Sequence, residues 1–313
     1  MKRVLVTGGL GYLGGRLVQA LLRDEELLVR VGSKRIAYEK LPNWLCKQDI
    51  VQMDMLSEED MESACSEVDY IIHLAALNEI ECAKKPDIAL LVNGYGTMKL
   101  AEAAAKNGVK RIIYMSTAHV YAAPLIGCFD EESIPQPRHP YSISKRVGED
   151  FILAQPNLEK IIIRLSNAFG KPVYPDINRW GLVVNDFCRQ AVNDKQIIIK
   201  SSGKQHRNFI PFGDVTNAVA HLLRLKLADN TINIFNLGGE TMSILEMAQL
   251  VASRCEAVMG YMPTIFVEGK EKENLHEGLC YSCSKLNNTN WVSTCSISAE
   301  IDELLLYCQK IKS

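Results

Sequence analysis

Tyr141 and Lys145 stand four residues apart, a spacing that puts a phenol and an ammonium on one face of a helix. A free tyrosine, with a pKa near about 10, is a poor proton carrier at neutral pH. A cation one helical turn away favours the phenolate and lowers that value, so the pair has the ingredients of a general acid/base. Tyr95 and Lys99 repeat the spacing in the same chain. Context separates them: Tyr141 follows an apolar strand, Ile112-Ile113-Tyr114-Met115, that ends in the hydroxyls of Ser116 and Thr117, and then a proline-rich loop from Pro124 to Pro140. Tyr95 lies between a strand end and a core helix and has no such hydroxyl partner.

A second chemical feature lies at the N-terminus. Thr7 to Gly14 read Thr-Gly-Gly-Leu-Gly-Tyr-Leu-Gly, after the apolar run Val4-Leu5-Val6 and before the amphipathic stretch Arg16 to Leu22. Strand, glycine turn and helix in that order form a pyrophosphate cradle. Gly8 serves the tight turn, Gly11 the close approach of backbone to phosphate, and Gly14 the close packing of helix on strand. The helix N-terminus adds unpaired N–H donors and the positive end of its dipole. In sites for an unphosphorylated adenosine ribose the second strand ends in a carboxylate. Here Leu27–Val31 runs into Gly32-Ser33-Lys34-Arg35, with no carboxylate and two cations. Ser33, Lys34 and Arg35 suit a ribose 2′-phosphate, which favours NADP over NAD. Asp54 is placed to accept from the adenine amino group.

The elements that must position these groups alternate. Strands are expected at 3–6, 27–31, 69–74, 110–116 and 161–164, with helices at 14–23, 88–107 and 141–154 between them. Repeated strand–helix units imply an α/β fold, a Rossmann-type doubly wound parallel sheet whose ligands lie at the carboxyl ends of the strands. After Gly170 the texture changes. Helices are expected at 180–193, 243–254 and 297–310, a strand at 196–200, and strands at 209–212 and 234–237 that return to the main sheet. The domain reading is a Rossmann domain over 1–170, rejoined by 208–240, and a smaller, discontinuous substrate lobe from 171–207 and 241–313.

Composition narrows the class. The 313 residues are 47% hydrophobic with a net charge of −2, so nothing points to nucleic acid or an anionic membrane. No apolar run is long enough to span a bilayer, and the chain starts directly in a strand without a secretory leader, so a cytoplasmic protein is expected. The ten cysteines are scattered and read as free thiols. Cys280 and Cys283 form a single C-x-x-C without the second pair a zinc site needs, so no metal is expected.

Together these motifs resemble the extended short-chain dehydrogenases/reductases, in the nucleotide-sugar epimerase/dehydratase/reductase branch. The resemblance rests on Thr7 to Gly14, Asp54, His73-Leu74-Ala75-Ala76, Asn93-x-x-Gly96-Thr97, Ser116-Thr117-x-x-Val120-Tyr121 and Tyr141-x-x-x-Lys145. It continues through Arg164-Leu-Ser-Asn167-Ala-Phe-Gly170, Arg207 to Val215 and Asn236-Leu-Gly-Gly239. It implies that Thr117, Tyr141 and Lys145 are the catalytic triad, with Lys145 also a ligand of the nicotinamide ribose. It implies cofactor contacts from Gly8, Gly11, Tyr12, Leu13, Gly14, Met55, Leu74, Ala75, Ala76 and Asn93. Asn167 and Arg207 match residues that hold the diphosphate of a nucleotide-sugar substrate; an ion pair is the structural alternative for Arg207. A homodimer is implied, through helices carrying Leu90, Leu91, Leu100, Phe151 and Ile152, residues that ordinary core burial would also explain.

The chain departs from the pattern at three places. Dehydratases of this family carry Asp-Glu after the catalytic threonine, where this chain has Ala118-His119, so water elimination loses its acid and base. His119 stands where some relatives hold a second acid/base, although a histidine satisfied by its neighbours would look the same. Asn208 replaces an aspartate, and Gly269–Glu273 lacks an arginine that closes over the diphosphate, for which Lys270 or Lys272 could substitute. Two activities follow: a 4-epimerase that passes through a transient 4-keto sugar and recycles its cofactor, or an NADP(H)-dependent 4-keto-sugar reductase or dehydrogenase. A non-catalytic NADP-binding protein is the remaining alternative, disfavoured by the intact Tyr141 and Lys145.

Overall fold

The computed structural model describes residues 1–45, 48–174, 176–177, 179–227, 233–269 and 278–312. The chain divides into two compact units. The first comprises Met1–Pro124, Glu131–Leu165 and Ala218–Asn236, and the second Leu125–Asp130, Ser166–Asn217 and Leu237–Ser313.

The first unit is built on a seven-stranded sheet. Its order is Asn233–Leu237, Glu159–Leu165, Arg111–Thr117, Tyr70–His73, Lys2–Thr7, Leu27–Ser33, Asp49–Gln52. The pairs Lys2–Thr7 with Leu27–Ser33, Lys2–Thr7 with Tyr70–His73, and Arg111–Thr117 with Glu159–Leu165 are all parallel. Because helices cover a parallel sheet, its strands read as unbroken apolar runs. All seven residues of Arg111–Thr117 are buried accordingly. Leu5, Met53, Met61, Ile71, Leu100, Ile112, Tyr114, Ile152 and Ile162 form the core on one side of this sheet. The register aligns Thr7 with His73 and with Gly32, so the glycine turn, the Leu74–Ala76 segment and the end of the second strand share one edge.

The second unit holds a three-stranded sheet, Glu240–Ser243, His206–Pro211, Asn167–Phe169. Helices Val183–Asp194, Ile244–Met259 and Ile297–Lys312 pack through Phe187, Cys188, Met247, Val251, Ile301 and Leu304. The capping box of Ser243 and Glu246 starts the second of these helices.

Two expectations about organisation need correction. The strand expected at 209–212 runs His206–Pro211 and pairs within the second unit, not with the main sheet; the segment that rejoins the first unit is 218–236 rather than 208–240. A short buried strand carries no sequence mark of which sheet it joins. Residues 125–130 also belong to the second unit, because Gly127–Phe129 pairs with Leu279–Tyr281. The helix Phe212–Arg224 was not expected at all, although Val215, Ala218, Val219 and Leu222, all fully buried, have helical spacing. The expected helix 88–107 is three pieces: Pro86–Ala89, a π-helical Leu90–Tyr95 and Gly96–Lys106.

No helix among the described residues is long and apolar enough to cross a membrane.

Candidate active site

The glycine turn is held by contacts that exclude side chains. Gly8 has φ +66, and a Cβ there would lie 3.0 Å from the Ala75 backbone; one on Gly14 would run into the Gly8 carbonyl oxygen. Gly9 is equally constrained, since a Cβ would stand 2.8 Å from Val31. Its role escaped the sequence reading because the motif leaves that position open. Gly11 is the N-cap of the Tyr12–Leu21 helix and supplies no side-chain cap. The first turn of this helix, carrying Tyr12 and Leu13, therefore presents backbone N–H groups without a competing side chain, which is what a pyrophosphate requires. The loop fits a dinucleotide.

Behind the turn runs a buried chain of hydrogen bonds. Burial, helped by the charge of Lys145, pushes the pKa of His73 well below its ordinary value, so the imidazole is neutral. The Thr97 hydroxyl donates to the Asn93 carbonyl at 2.7 Å and must therefore accept from His73 Nε2, 3.0 Å away. That fixes the tautomer: Nδ1 is bare and accepts from the Thr7 hydroxyl at 2.7 Å. The Thr7 oxygen is then open to accept from the N–H groups of Leu74 at 3.2 Å and Ala75 at 3.1 Å. Asn93 completes the chain. Its Oδ1 accepts from the Leu77 N–H at 2.8 Å and its Nδ2 donates to the Ser144 hydroxyl at 3.0 Å. Ser144 in turn donates to the Tyr141 carbonyl at 2.9 Å. The Asn93 side chain is fully buried and braces the Leu74–Leu77 loop and the Pro140–Ala154 helix.

Tyr141 and Lys145 lie on the helix Pro140–Ala154, whose start is fixed by Pro140 in its first turn and by a capping exchange between His139 and Ser142. This helix packs on the Arg111–Thr117 strand through Tyr114, whose hydroxyl donates to the Lys145 carbonyl at 3.2 Å. Gly148 makes the approach possible, since a Cβ there would collide with the Tyr114 hydroxyl. The Lys145 ammonium sits 4.0 Å from the centre of the Tyr114 ring and is 2% exposed. Burial brings its pKa down to about 7, against the opposing charge of Glu149 one turn on. Glu149 is itself fully buried and paired with Arg164 at 2.8 Å and Arg146 at 3.0 Å. Glu149 and Arg146 did not figure in the sequence reading, and Arg164 entered it only as the first residue of a family motif. The signal was a carboxylate at the third position of the Tyr141, Lys145, Glu149 stripe, one helical face that is otherwise core.

Thr117 ends the Arg111–Thr117 strand, 6% exposed, and caps the turn Ala118–Val120. Its Oγ1 accepts from the His119 N–H at 3.2 Å, leaving its own hydrogen to be donated outward. Ser116 Oγ is 3% exposed and has no partner among the described residues. Ala118 is buried, and His119 follows it on the turn at intermediate exposure.

At the end of the second strand the Ser33 hydroxyl donates to the Arg35 carbonyl at 3.0 Å, and Lys34 pairs with Asp54 at 2.8 Å. Partial burial pushes the Asp54 carboxyl up, but the hydrogen bond and charge of Lys34 and the Leu56 N–H outweigh it and hold the group below its ordinary value. The side chain of Met55 is buried in the core, so only its main chain can face a ligand.

In the second unit, Arg207 and Asn167 lie on neighbouring strands of the three-stranded sheet. Arg207 is exposed and forms no ion pair among the described residues. Asn167 Nδ2 donates to the Asn208 carbonyl at 2.9 Å. The departure at Asn208 has a physical reason. Its buried amide donates to the Gly239 carbonyl at 2.8 Å and to Thr241 Oγ1 at 3.1 Å, while its oxygen accepts from the Gly239 N–H at 2.9 Å. A carboxylate could not make the first of these bonds. Lys270 and Lys272 lie outside the described residues.

Comparison with known proteins places this geometry. The model of the NAD dependent epimerase/dehydratase family matches residues 4–238. The dTDP-D-glucose 4,6-dehydratase of Mus musculus is 30% identical over 261 residues, covering 79% of this chain and 71% of that protein. The UDP-glucose 4-epimerase of Thermotoga maritima, solved with UDP-glucose, superposes with a TM-score of 0.82 at 23% identity, over 99% of this chain and 100% of that one. RMD from Pseudomonas aeruginosa, solved with NADPH, gives a TM-score of 0.78 at 23% identity, again over 99% and 100%.

Proposed function

The chain belongs to the NAD-dependent epimerase/dehydratase family of extended short-chain dehydrogenases/reductases, and on that premise we propose that it is a nucleotide-sugar 4-epimerase. The observation that carries this choice within the family is the turn after Thr117. The side chains there are Ala118, which is buried, and His119, so the carboxylates of water elimination are absent from the sequence while Thr117, Tyr141 and Lys145 are all present in it.

A bound nicotinamide supplies the acceptor and return donor of the C4 hydride. The protein's residues do the rest. Tyr141 takes the proton of the C4 hydroxyl as the carbonyl forms and gives it back when the hydride returns to the other face. Thr117 steadies the same oxygen with the hydrogen its cap leaves available. Lys145 holds the nicotinamide ribose and favours the Tyr141 phenolate. The chain from Thr7 through His73, Thr97, Asn93 and Ser144 keeps the Leu74–Leu77 loop and the Tyr141 turn in fixed register. His119, on the same turn as Thr117, is the candidate for a second group that steers the sugar hydroxyl. In the second unit, Arg207 is an open cation suited to bidentate binding of a diphosphate, with Asn167 beside it.

NADP is the proposed cofactor, on the absence of a carboxylate at the end of the second strand and the presence of Lys34 and Arg35 there. Lys34 would exchange its Asp54 carboxylate for the 2′-phosphate. The switch is cheap because exposed ion pairs are worth only about 0–1 kcal/mol. If cofactor specificity governs instead, the second reading is an NADP(H)-dependent 4-keto-sugar reductase. Acid quenching of freshly purified protein, with mass spectrometry of the released nucleotide, tests both points. Retained, near-stoichiometric cofactor supports a recycling epimerase, and an empty site supports the reductase; the mass reports the 2′-phosphate.

A homodimer is proposed through the Leu90–Tyr95 and Pro140–Ala154 segments, where Leu90, Leu91, Tyr95 and Ile143 are each more than two-fifths exposed (47%, 45%, 41% and 42%). Leu100 and Ile152 are fully buried and belong to the core. Sedimentation of wild type against Leu91→Asp checks this, with a shift to monomer expected.

A further inference from the structure

Gly127–Phe129 and Leu279–Tyr281 form a parallel two-stranded ribbon in the second unit, and its register sets Cys128 directly beside Cys280. Side chains alternate along a strand. Leu279 and Tyr281 point into the protein, 7% and 8% exposed, so Cys280 between them points out. Cys128 is exposed as well, and both are free thiols. The two side chains interact closely enough that Cys128 raises the pKa of Cys280. Neighbouring strands run about 4.8 Å apart, inside the roughly 4.4–6.8 Å between Cα atoms that a disulfide bridges. The other described cysteines are placed differently. Cys65, Cys82, Cys188, Cys255 and Cys308 are buried, Cys283 lies beyond the ribbon, before a short helix, and Cys295, half-buried, lies ahead of the terminal helix.

We propose that Cys128 and Cys280 are a redox modification site that closes to a reversible disulfide by exchange with a low-molecular-weight disulfide. One of the two, as thiolate, attacks a sulfur of the small disulfide. Its S–S bond breaks, one small thiol leaves with the proton, and a mixed disulfide remains. The second protein thiolate attacks the protein sulfur of that mixed disulfide, forming the Cys128–Cys280 bond and releasing the second small thiol. Two protein thiols are oxidised, one small disulfide is reduced, and both protons leave on its products. Exposed disulfides of this kind are the reducible ones. The bond would fix residues 125–130, which lie in sequence between Thr117 and Tyr141, to the Leu279–Tyr281 strand.

The test is thiol mapping of the folded wild-type enzyme after equilibration with oxidised glutathione, alkylation, and mass spectrometry of non-reduced peptides. The expected result is a loss of two of the ten thiols and one cross-linked peptide pair joining Cys128 to Cys280, reversed by dithiothreitol. Cys128→Ser should abolish the cross-link and leave Cys280 as a stable glutathione adduct, with an unchanged melting temperature. Glutathione on both cysteines without a cross-link, a Cys280–Cys283 bond, or no reaction at either thiol would overturn the proposal.

Discussion

Replacing Lys145 by Met should make the protein's stability less dependent on pH, and the size of the effect follows from the burial of the ammonium. In the folded chain its pKa is lowered to about 7 from an ordinary 10.5. Between those values the unfolded chain binds the proton and the folded chain does not, so stability rises with pH. Below pH 7 the folded state carries the whole penalty, about 5 kcal/mol at 1.36 kcal/mol per pKa unit. Between pH 7 and pH 9 about 2 kcal/mol of it is relieved. Lys145→Met keeps the length of the side chain over the Tyr114 ring and removes the titration. Urea unfolding of nucleotide-free wild type and variant at pH 7, 8 and 9 reads the difference, since other titrating groups, including the buried cysteines, cancel between the two proteins. The variant should gain on the wild type by about 2 kcal/mol more at pH 7 than at pH 9. A gap that does not change with pH would mean that Lys145 keeps an ordinary pKa and would refute the reasoning.

Other consequences are as direct. Tyr141→Phe should lower kcat by about 10²–10⁴-fold, the usual contribution of a positioned acid/base, with no change in melting temperature. The double variant Lys34→Ala with Arg35→Ala should weaken NADP binding at least about tenfold, losing charge-assisted contacts to phosphate, while leaving NAD binding unchanged by calorimetry. Asn208→Asp should destabilise the protein by about 1–3 kcal/mol in thermal or urea unfolding, because a buried carboxylate oxygen would face the Gly239 carbonyl in place of a donor.

The features legible in the sequence were those with short, local causes. The glycine turn, the Tyr141–Lys145 spacing and the apolar runs of the parallel sheet each depend on a few neighbouring residues. The pairing of His206–Pro211 with Asn167–Phe169, and of Gly127–Phe129 with Leu279–Tyr281, depends on residues distant in the chain, and local pattern carries no trace of it. The same limit hid the support behind the candidate triad. Thr7, His73, the Asn93–Thr97 stretch and Ser144 come from four separate segments, and only the folded unit shows that each satisfies the next. Lys34 illustrates a smaller gap: its cationic type suits a phosphate, but its pairing with Asp54 required the geometry.

The most direct test of the 4-epimerase proposal is the fate of hydrogen at C4. Incubating the enzyme with UDP-glucose and dTDP-glucose deuterated at C4, and following products by NMR, should give the C4 epimer with deuterium still at C4 and no net change in nicotinamide absorbance. A 6-deoxy-4-keto product carrying deuterium at C6 would contradict it, and so would consumption of NADPH with a 4-keto-sugar and no epimer from either nucleotide sugar.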